Sequence, residues 1–192
     1  MALAAGSVQG GQSLMLVILT EEESMEITLR EILRRLGVVE FQIITFQGVG
    51  DLEASLTTKI KAWRDPHARF LVIRDNDNGN CEARKKRLSE MIRAAGGTKP
   101  AKIRLVMQEL EAWFLADPEA LENAGYLKPG SRPALLRDPE NHQRPVDALR
   151  KLDPAYQKGL GARRIAPYLD PDRNTAASFH ATIQAIRDLT AA

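Results

Sequence analysis

Two aspartates, Asp75 and Asp77, follow an apolar segment and carry the clearest chemical signal in the chain. In an extended strand, side chains at positions i and i+2 lie on the same face, so both carboxylates can bind one cation. Asn78 and Gly79 come next and favour a turn, which exposes both groups. The alternative is an Asx-rich turn that caps the following helix. Carboxylate ligands without histidine or cysteine suit Mg²⁺, Mn²⁺ or Ca²⁺.

Other metal sites have less support in the sequence. The three histidines are scattered along the chain, which argues against a zinc site. The segment 75–80 resembles the start of a calcium-binding loop, with aspartate at positions one and three. However, Gly79 comes one place early and Lys86 stands where the closing glutamate belongs, so we reject that interpretation. Magnesium or manganese is the expected ion.

The segments before these carboxylates predict the fold. Short apolar and β-branched runs predict four strands, at 14–20, 41–46, 69–74 and 103–107. Apolar residues at helical spacing follow each of them. This alternation predicts an α/β fold with a mainly parallel four-stranded sheet flanked by helices. Ligands of such sheets bind beyond the carboxyl ends of the strands.

Three of the four predicted strand ends are acidic. Glu21 follows the first strand, Asp75 and Asp77 follow the third, and Glu109 and Glu111 follow the fourth. Because parallel strands end at the same edge of a sheet, we expect these five carboxylates to meet there and to bind the metal. For the glutamates there is an alternative, because the helix dipole favours acidic residues in a first helical turn.

Composition narrows the class of protein. The chain has 192 residues, of which 44% are hydrophobic and 27% charged, as in ordinary globular domains. A net charge of +2 argues neither for nor against nucleic-acid binding. The single cysteine, Cys81, excludes an intramolecular disulfide, and the longest apolar run is too short to span a bilayer. No signal-peptide pattern opens the chain, so we expect a cytoplasmic protein.

The chain divides into three predicted segments. Residues 1–13 are rich in Ala, Gly, Ser and Gln and are interpreted as a flexible lead. Residues 14–125 form the α/β domain. Beyond this, four prolines break the pattern before helices predicted at 146–152, 162–169 and 176–189. We interpret residues 126–192 as a helical appendage packed on the core.

Four segments together resemble a known family. They are VILTEEESME at 17–26, FLVIRDNDNG at 70–79, QELEAWFLAD at 108–117 and YQKGLGARRIAPYL at 156–169. In this order they resemble an uncharacterised bacterial domain-of-unknown-function family in or near the Toprim-like group, related to OLD-type (overcoming lysogenization defect) nucleases. The resemblance extends from residue 14 to about residue 189 and implies a Toprim-like, Rossmann-like fold.

The resemblance also implies roles for the acidic residues. Toprim domains have a glutamate after the first strand and Asp-x-Asp after the third, positions taken here by Glu21, Asp75 and Asp77. In nuclease members a further acidic segment helps to hold a second metal, and the Glu-Leu-Glu segment at 109–111 resembles it. Many Toprim domains have glycine where this chain has Glu22, which leaves the choice between Glu21 and Glu22 open.

The activity implied by the resemblance is Mg²⁺- or Mn²⁺-dependent cleavage of phosphodiester bonds in nucleic acid, in a bacterial phage-defence system. Glu21, Asp75, Asp77 and Lys158 would be the catalytic residues, with Glu21 a metal ligand or general base. Lys158 and Arg163 would neutralise charge on the scissile phosphate; the alternative is a basic helix start on the surface. A separate ATPase partner is also implied, since the sequence contains no Gly-rich P-loop.

Two other functions stay open. The first is a non-catalytic module that binds a nucleotide or a partner protein with the same pocket. The second is a phosphatase of the haloacid-dehalogenase type, in which Asp-x-Asp also follows a strand. There the nucleophilic aspartate is normally near the chain start, whereas here it follows the third strand. A trapped aspartyl-phosphate at Asp75 would support the phosphatase.

Overall fold

A computed structural model describes residues 14–191, so the predicted flexible lead at 1–13 lies outside the described residues. The strands are β1 (Leu16–Thr20), β2 (Phe41–Thr45), β3 (Arg69–Asp75) and β4 (Ala101–Val106). The first helices are α1 (Glu23–Arg35), α2 (Val49–Ala62), α3 (Cys81–Ala94), α4 (Glu111–Leu115) and α5 (Pro118–Asn123). The last are α6 (Pro145–Leu152), α7 (Lys158–Ile165) and α8 (Ala177–Thr190), with short 3₁₀ turns between them.

The four strands form one parallel sheet in the order β2-β1-β3-β4. The predicted α/β fold with a parallel four-stranded sheet is therefore confirmed. All residues of β1 are buried, as are the last six of β3, because helices cover both faces of the sheet. This double coverage explains why the two central strands are continuous apolar runs in the sequence.

The strand order reverses between β1 and β3. The chain runs from β1 outward to β2 and then crosses back over β1 to reach β3. Such a reversal opens a crevice beyond the carboxyl ends of the two strands, where ligands of open α/β sheets bind. Glu21 directly follows β1, and Asp75 is the last residue of β3.

The two faces of the sheet carry different helices. One hydrophobic cluster packs α2 and α3 against one face, with Leu52, Leu56 and Leu88 at its centre. The other cluster unites α1 and α4 with the C-terminal helices, and it includes Trp113 and Phe179, which meet edge to face. Beyond residue 125, α8 packs against β3 and β4, whereas α6 packs on α4 and α7 on α1. The domain boundary at 125/126 stays a prediction.

Helix α7 begins at Lys158, four residues before the predicted start at 162. Gly159 and Gly161 lower the helix propensity of its first turn and concealed it in the sequence. Gly161 has a packing reason, because a Cβ atom there would lie 2.1 Å from Cε2 of the Tyr156 ring. The missing side chain lets α7 approach Tyr156. Within residues 14–191, no helix is both long and apolar enough to cross a membrane.

Candidate metal centre

Three carboxylates surround one ammonium group at the carboxyl edge of the sheet. Lys158 Nζ lies 3.5 Å from Glu22, 3.9 Å from Asp75 Oδ2 and 3.8 Å from Glu111 Oε2. We refer to these four residues as the Lys158 cluster. β3 positions Asp75, α4 positions Glu111, and α7 brings Lys158 from the C-terminal part of the chain. The side chain of Glu111 is fully buried, whereas that of Lys158 is 35% exposed.

Several buried oxygens at this edge have no hydrogen-bond donor. Among residues 14–191, the buried side-chain oxygens without a hydrogen-bond partner are Thr20 Oγ1, Glu21 Oε2, Asp75 Oδ1, Asn76 Oδ1 and Glu111 Oε2. They belong to the ends of β1 and β3 and to the start of α4. Buried polar groups are nearly always paired in proteins, so this concentration of unpaired oxygens makes this edge of the sheet the candidate site.

The electrostatics of the cluster are unfavourable for carboxylates alone. Burial raises the pKa of Asp75 well above its usual range, and the nearby Glu22 carboxylate raises it further. Burial likewise raises the pKa of Glu111 to about 7, although the Lys158 ammonium opposes this shift. Both groups therefore hold protons more tightly than free carboxyls, unless a cation balances their charge.

Lys158 and Tyr156 come from the C-terminal part of the chain, and Tyr156 lies next to the Lys158 cluster. Burial alone would lower the pKa of Lys158, but Glu111, Glu22 and Asp75 outweigh it and raise the pKa, so the side chain stays charged. The Tyr156 hydroxyl donates a hydrogen bond of 3.0 Å to Glu111 Oε1. Burial and the Glu111 carboxylate raise the pKa of Tyr156, which keeps it a hydrogen-bond donor.

Glu21 and Glu22 both reach the edge, but they face different neighbours. Glu21 Oε1 accepts a 2.9 Å hydrogen bond from the main-chain N–H of Asp75. Burial raises the pKa of Glu21, against the lowering effects of that bond and of Arg74. Glu22 precedes α1 and joins the Lys158 cluster. Both glutamates therefore lie at the carboxyl edge of the sheet, and the choice between them as metal ligand stays a prediction.

Asp77 lies apart from Asp75. The expected shared face requires the strand to continue, whereas β3 ends at Asp75 and Asp77 is in a left-handed conformation with φ of 45°. Its Oδ2 accepts a 3.2 Å hydrogen bond from Arg74, and its side chain is 49% exposed. Asp77 therefore stands at the rim of the crevice, outside the Lys158 cluster.

Glu109 and Arg163 occupy the surroundings of the cluster. Glu109 Oε2 accepts a hydrogen bond of 2.9 Å from the main-chain N–H of Val146, in the first turn of α6. Its carboxylate is close enough to raise the pKa of Glu111. Arg163 is 58% exposed and pairs with Glu23 at 2.6 Å on the surface. The structure thus brings Glu109 next to the site and leaves Arg163 outside it.

Sequence reasoning missed several members of the site. Tyr156 gave no chemical signal of its own. Thr20 and Asn76 directly follow the apolar parts of their strands, and this position could have drawn attention to them. No local sequence pattern predicts the contact of Tyr156 with Glu111, since 45 residues separate them.

The donor set fits a hard divalent cation. All candidate ligands are carboxylate, hydroxyl or amide oxygens, the atoms preferred by Mg²⁺ and Mn²⁺. Within residues 14–191, no three His, Cys, Asp or Glu side chains converge as a closed metal site. The carboxylates are instead arranged around the ammonium of Lys158, which balances part of their charge.

A surface groove of about 550 Å³ lies elsewhere, between α3 and β4. Lys85, Arg93 and Lys99 line it, and it shares no residue with the Lys158 cluster. The candidate site is therefore identified by its charge and unpaired oxygens and not by the depth of a cavity.

Comparison with known proteins places the chain in a family. A search among curated proteins finds no match. Among solved structures, the chain is similar to the C-terminal region of the Burkholderia pseudomallei OLD protein, with a TM-score of 0.59 and 16% sequence identity, over 92% of this chain and 98% of that chain. This likeness concerns the fold, and it confirms the expected Toprim-like architecture. Residues 19–187 match the family described as Domain of unknown function (DUF4276), and the chain belongs to that family.

Proposed function

We propose that the protein is a divalent-metal-dependent nuclease, which hydrolyses phosphodiester bonds in nucleic acid with Mg²⁺ or Mn²⁺. One observation carries the proposal: buried carboxylate oxygens of Glu21, Asp75 and Glu111 have no hydrogen-bond donor, at the crevice between β1 and β3. The likeness in fold to the C-terminal region of an OLD protein supports the same class of function.

We assign the metal to the buried oxygens of Asp75 and Glu111, together with Glu21. Asp77 and Glu109 stay in the proposed ligand set, at the rim, where each accepts one hydrogen bond from the protein. When bound, the metal activates water and neutralises charge on the phosphate. The carboxylates supply the charge that binds it, and the main-chain N–H of Asp75 fixes the orientation of Glu21.

We assign to Lys158 the role of neutralising the negative charge of the scissile phosphate. Its ammonium contacts the carboxylates from one side, and its side chain is 35% exposed, so it also reaches the solvent from which a substrate arrives. A positioned cation stabilises negative charge that develops on a transferring phosphoryl group. Arg163 lies further out, five residues along α7, and would contact a neighbouring phosphate of the same strand.

The resemblance to defence-associated nucleases sets the proposed biological context. We propose nucleic acid as the substrate and a separate ATPase as a partner in phage defence. Both proposals rest on the family resemblance, and the acidic edge supports only the chemistry. Affinity purification of this protein from its native host, with ATP hydrolysis assayed in the eluate and nucleic-acid cleavage measured with and without ATP, tests the partnership.

Cleavage of supercoiled DNA, linear DNA and RNA in Mg²⁺ or Mn²⁺ tests the nuclease activity. We expect cleavage that EDTA abolishes and that Asp75→Asn or Glu111→Gln reduces at least 100-fold. Glu90→Gln removes an exposed carboxylate on α3 and serves as the control, which should cleave normally. Cleavage that survives the double change Asp75→Asn with Asp77→Asn would contradict the assignment.

A non-catalytic binding module is the second candidate, and one observation favours it. Lys158 already balances part of the charge of three carboxylates, so the folded site is partly neutralised without any metal. Such a pocket can serve a nucleotide or a partner protein. A thermal shift with Mn²⁺, combined with no turnover of DNA, RNA or nucleotides, would favour this function over the nuclease.

A further inference from the structure

Arg74 is a buried arginine next to the candidate metal centre, and no role has yet been assigned to it. It precedes Asp75 in β3, and only 3% of its side chain is exposed. Since side chains alternate along a strand, Arg74 lies on the α2 and α3 side of the sheet, while Asp75 faces Lys158. A buried arginine is costly unless it is fully paired, so its partners indicate its purpose.

The guanidinium of Arg74 contacts the main chain and three carboxylates. Nε donates to the carbonyl oxygen of Asp75 at 2.9 Å and lies 3.7 Å from Glu21 Oε2. Nη1 donates to Glu53 Oε1 at 3.3 Å, and Nη2 donates to Asp77 Oδ2 at 3.2 Å. One rigid planar group thus links the end of β3 to two proposed metal ligands and to α2.

Glu53 on α2 holds the guanidinium of Arg74 by accepting a hydrogen bond from it. Its second oxygen, Oε2, lies 2.7 Å from Arg87 on α3, so a single carboxylate connects two arginines from different elements. The side chain of Glu53 is 17% exposed, which leaves it partly shielded from water. Because Arg74 is held on this side, the nitrogen that faces Asp77 has a defined direction.

The loop that carries Asp77 depends on such support. Asp77 and Asn78 are both left-handed, with φ of 45° and 56°, a conformation that aspartate and asparagine adopt more readily than other non-glycine residues but still at a cost. Their main-chain N–H groups donate to the carbonyl oxygen and to Oε1 of Gln108, at 2.9 and 2.7 Å. These bonds hold the backbone, whereas the hydrogen bond from Arg74 holds the carboxylate of Asp77.

We propose that Arg74 is a positioning residue, which orients the carboxylates of Asp77 and Glu21 for metal binding and is itself held by Glu53. This inference rests on the proposed metal site. It predicts an effect opposite in sign to that of simple electrostatics. Loss of a nearby positive charge should strengthen the binding of a divalent cation. Loss of the planar guanidinium that orients the carboxylates should weaken it.

Substitution by lysine separates the two effects, because Arg74→Lys keeps the charge and loses the planar fork. The measurement is Mn²⁺ affinity, by electron paramagnetic resonance of free Mn²⁺, with no substrate present. Removal of residues that orient metal ligands typically weakens metal binding about 10- to 100-fold, so we expect at least a tenfold higher Kd for Arg74→Lys. Glu53→Asp keeps the charge but withdraws the carboxylate from Arg74, so it should weaken binding several-fold.

Arg30→Lys is the matched control, because Arg30 donates hydrogen bonds from two nitrogens to Glu26 on the exposed side of α1. It should bind Mn²⁺ like the unaltered chain. Unchanged or tighter binding by Arg74→Lys would overturn the positioning role and leave the metal site intact. If Arg74→Lys fails to fold in EDTA, Glu53→Asp decides, and unchanged affinity there overturns the inference. No Mn²⁺ binding by the unaltered chain overturns the metal site and with it the inference.

Discussion

Two fully buried carboxylates stand six residues apart, and the protein treats them differently. Both oxygens of Asp117 accept hydrogen bonds, from two main-chain amides and from two nitrogens of Arg173, at 2.7 to 3.1 Å. Glu111 receives one hydrogen bond, from Tyr156, and its other oxygen has no donor. The fold can therefore satisfy a buried carboxylate completely, and at Glu111 it does not.

This difference separates a structural carboxylate from a candidate ligand. Asp117 caps α5 and ties it to the loop before α8, so its charge stabilises the folded chain. Glu111 lies in a group of buried carboxylates whose pKa values are raised. Such a group stabilises the fold less than apolar side chains packed in the same place would. Sites that bind ligands commonly break a rule that the rest of the protein obeys. Four experiments test this contrast.

The largest effect is expected at Asp117. Replacement of Asp117 by Asn puts an NH2 group where a fully buried oxygen accepts two hydrogen bonds, one from a main-chain amide and one from Arg173, which should lower the free energy of unfolding by about 3 kcal/mol. Urea denaturation in EDTA measures this loss. A loss below about 1 kcal/mol would remove the structural side of the contrast.

Metal binding should stabilise the protein next most strongly. Mn²⁺ at about 100 times its Kd should raise the free energy of unfolding by about 2.7 kcal/mol, because it binds the folded state alone. Thermal unfolding with and without Mn²⁺ measures the gain. Asp75→Asn should abolish it, and Asp117→Asn should retain it, although it starts from a lower melting temperature. An equal Mn²⁺ shift in Asp75→Asn would place the metal elsewhere.

Neutralising Glu111 should have the opposite sign to neutralising Asp117. At pH 8 without metal, Glu111→Gln removes a buried charge that lacks a full set of donors, and we expect a gain of about 2 kcal/mol in the free energy of unfolding. The Tyr156 hydroxyl can donate to the glutamine oxygen as it does to Glu111. Urea denaturation measures the gain, and a loss of stability would mean that Lys158 needs the Glu111 charge to remain buried.

The smallest effect concerns pH. The pKa of Glu111 is about 7 in the folded chain against 4.5 as the ordinary value, so the folded state retains the proton over a pH range where the unfolded state loses it. Stability from this group is fully present below about pH 4.5 and is lost as the pH rises through 7. When the pH is lowered from 8 to 6, the free energy of unfolding of the unaltered metal-free protein should rise by about 1 kcal/mol relative to that of Glu111→Gln. A difference independent of pH would contradict the raised pKa.

The sequence predicts the sheet well because each strand is a local apolar run. All four strands begin and end within two residues of their predicted bounds, and their parallel direction follows from the alternation with helices. The acidic strand ends were visible for the same reason. Helix α5 was not predicted, because its six residues are too few to show a helical period.

Contacts between distant segments could not be predicted in this way. Lys158 and Glu22 are 136 residues apart, and their approach depends on how α7 packs against α1. A catalytic role for Lys158 was inferred only from the family resemblance. The position of Asp77 depends on main-chain bonds to Gln108, which belongs to the next strand end. The rule that residues i and i+2 share a face applies inside a strand, and β3 ends two residues before Asp77.

The close contact between Gly161 and Tyr156 links two positions in evolution. A methyl group at 161 would overlap the ring of Tyr156 and displace the hydroxyl that donates to Glu111. Within the family, we therefore expect glycine at position 161 wherever position 156 is tyrosine, and a larger residue at 161 only where the residue at 156 is small. The two positions should covary even though neither carries a charge.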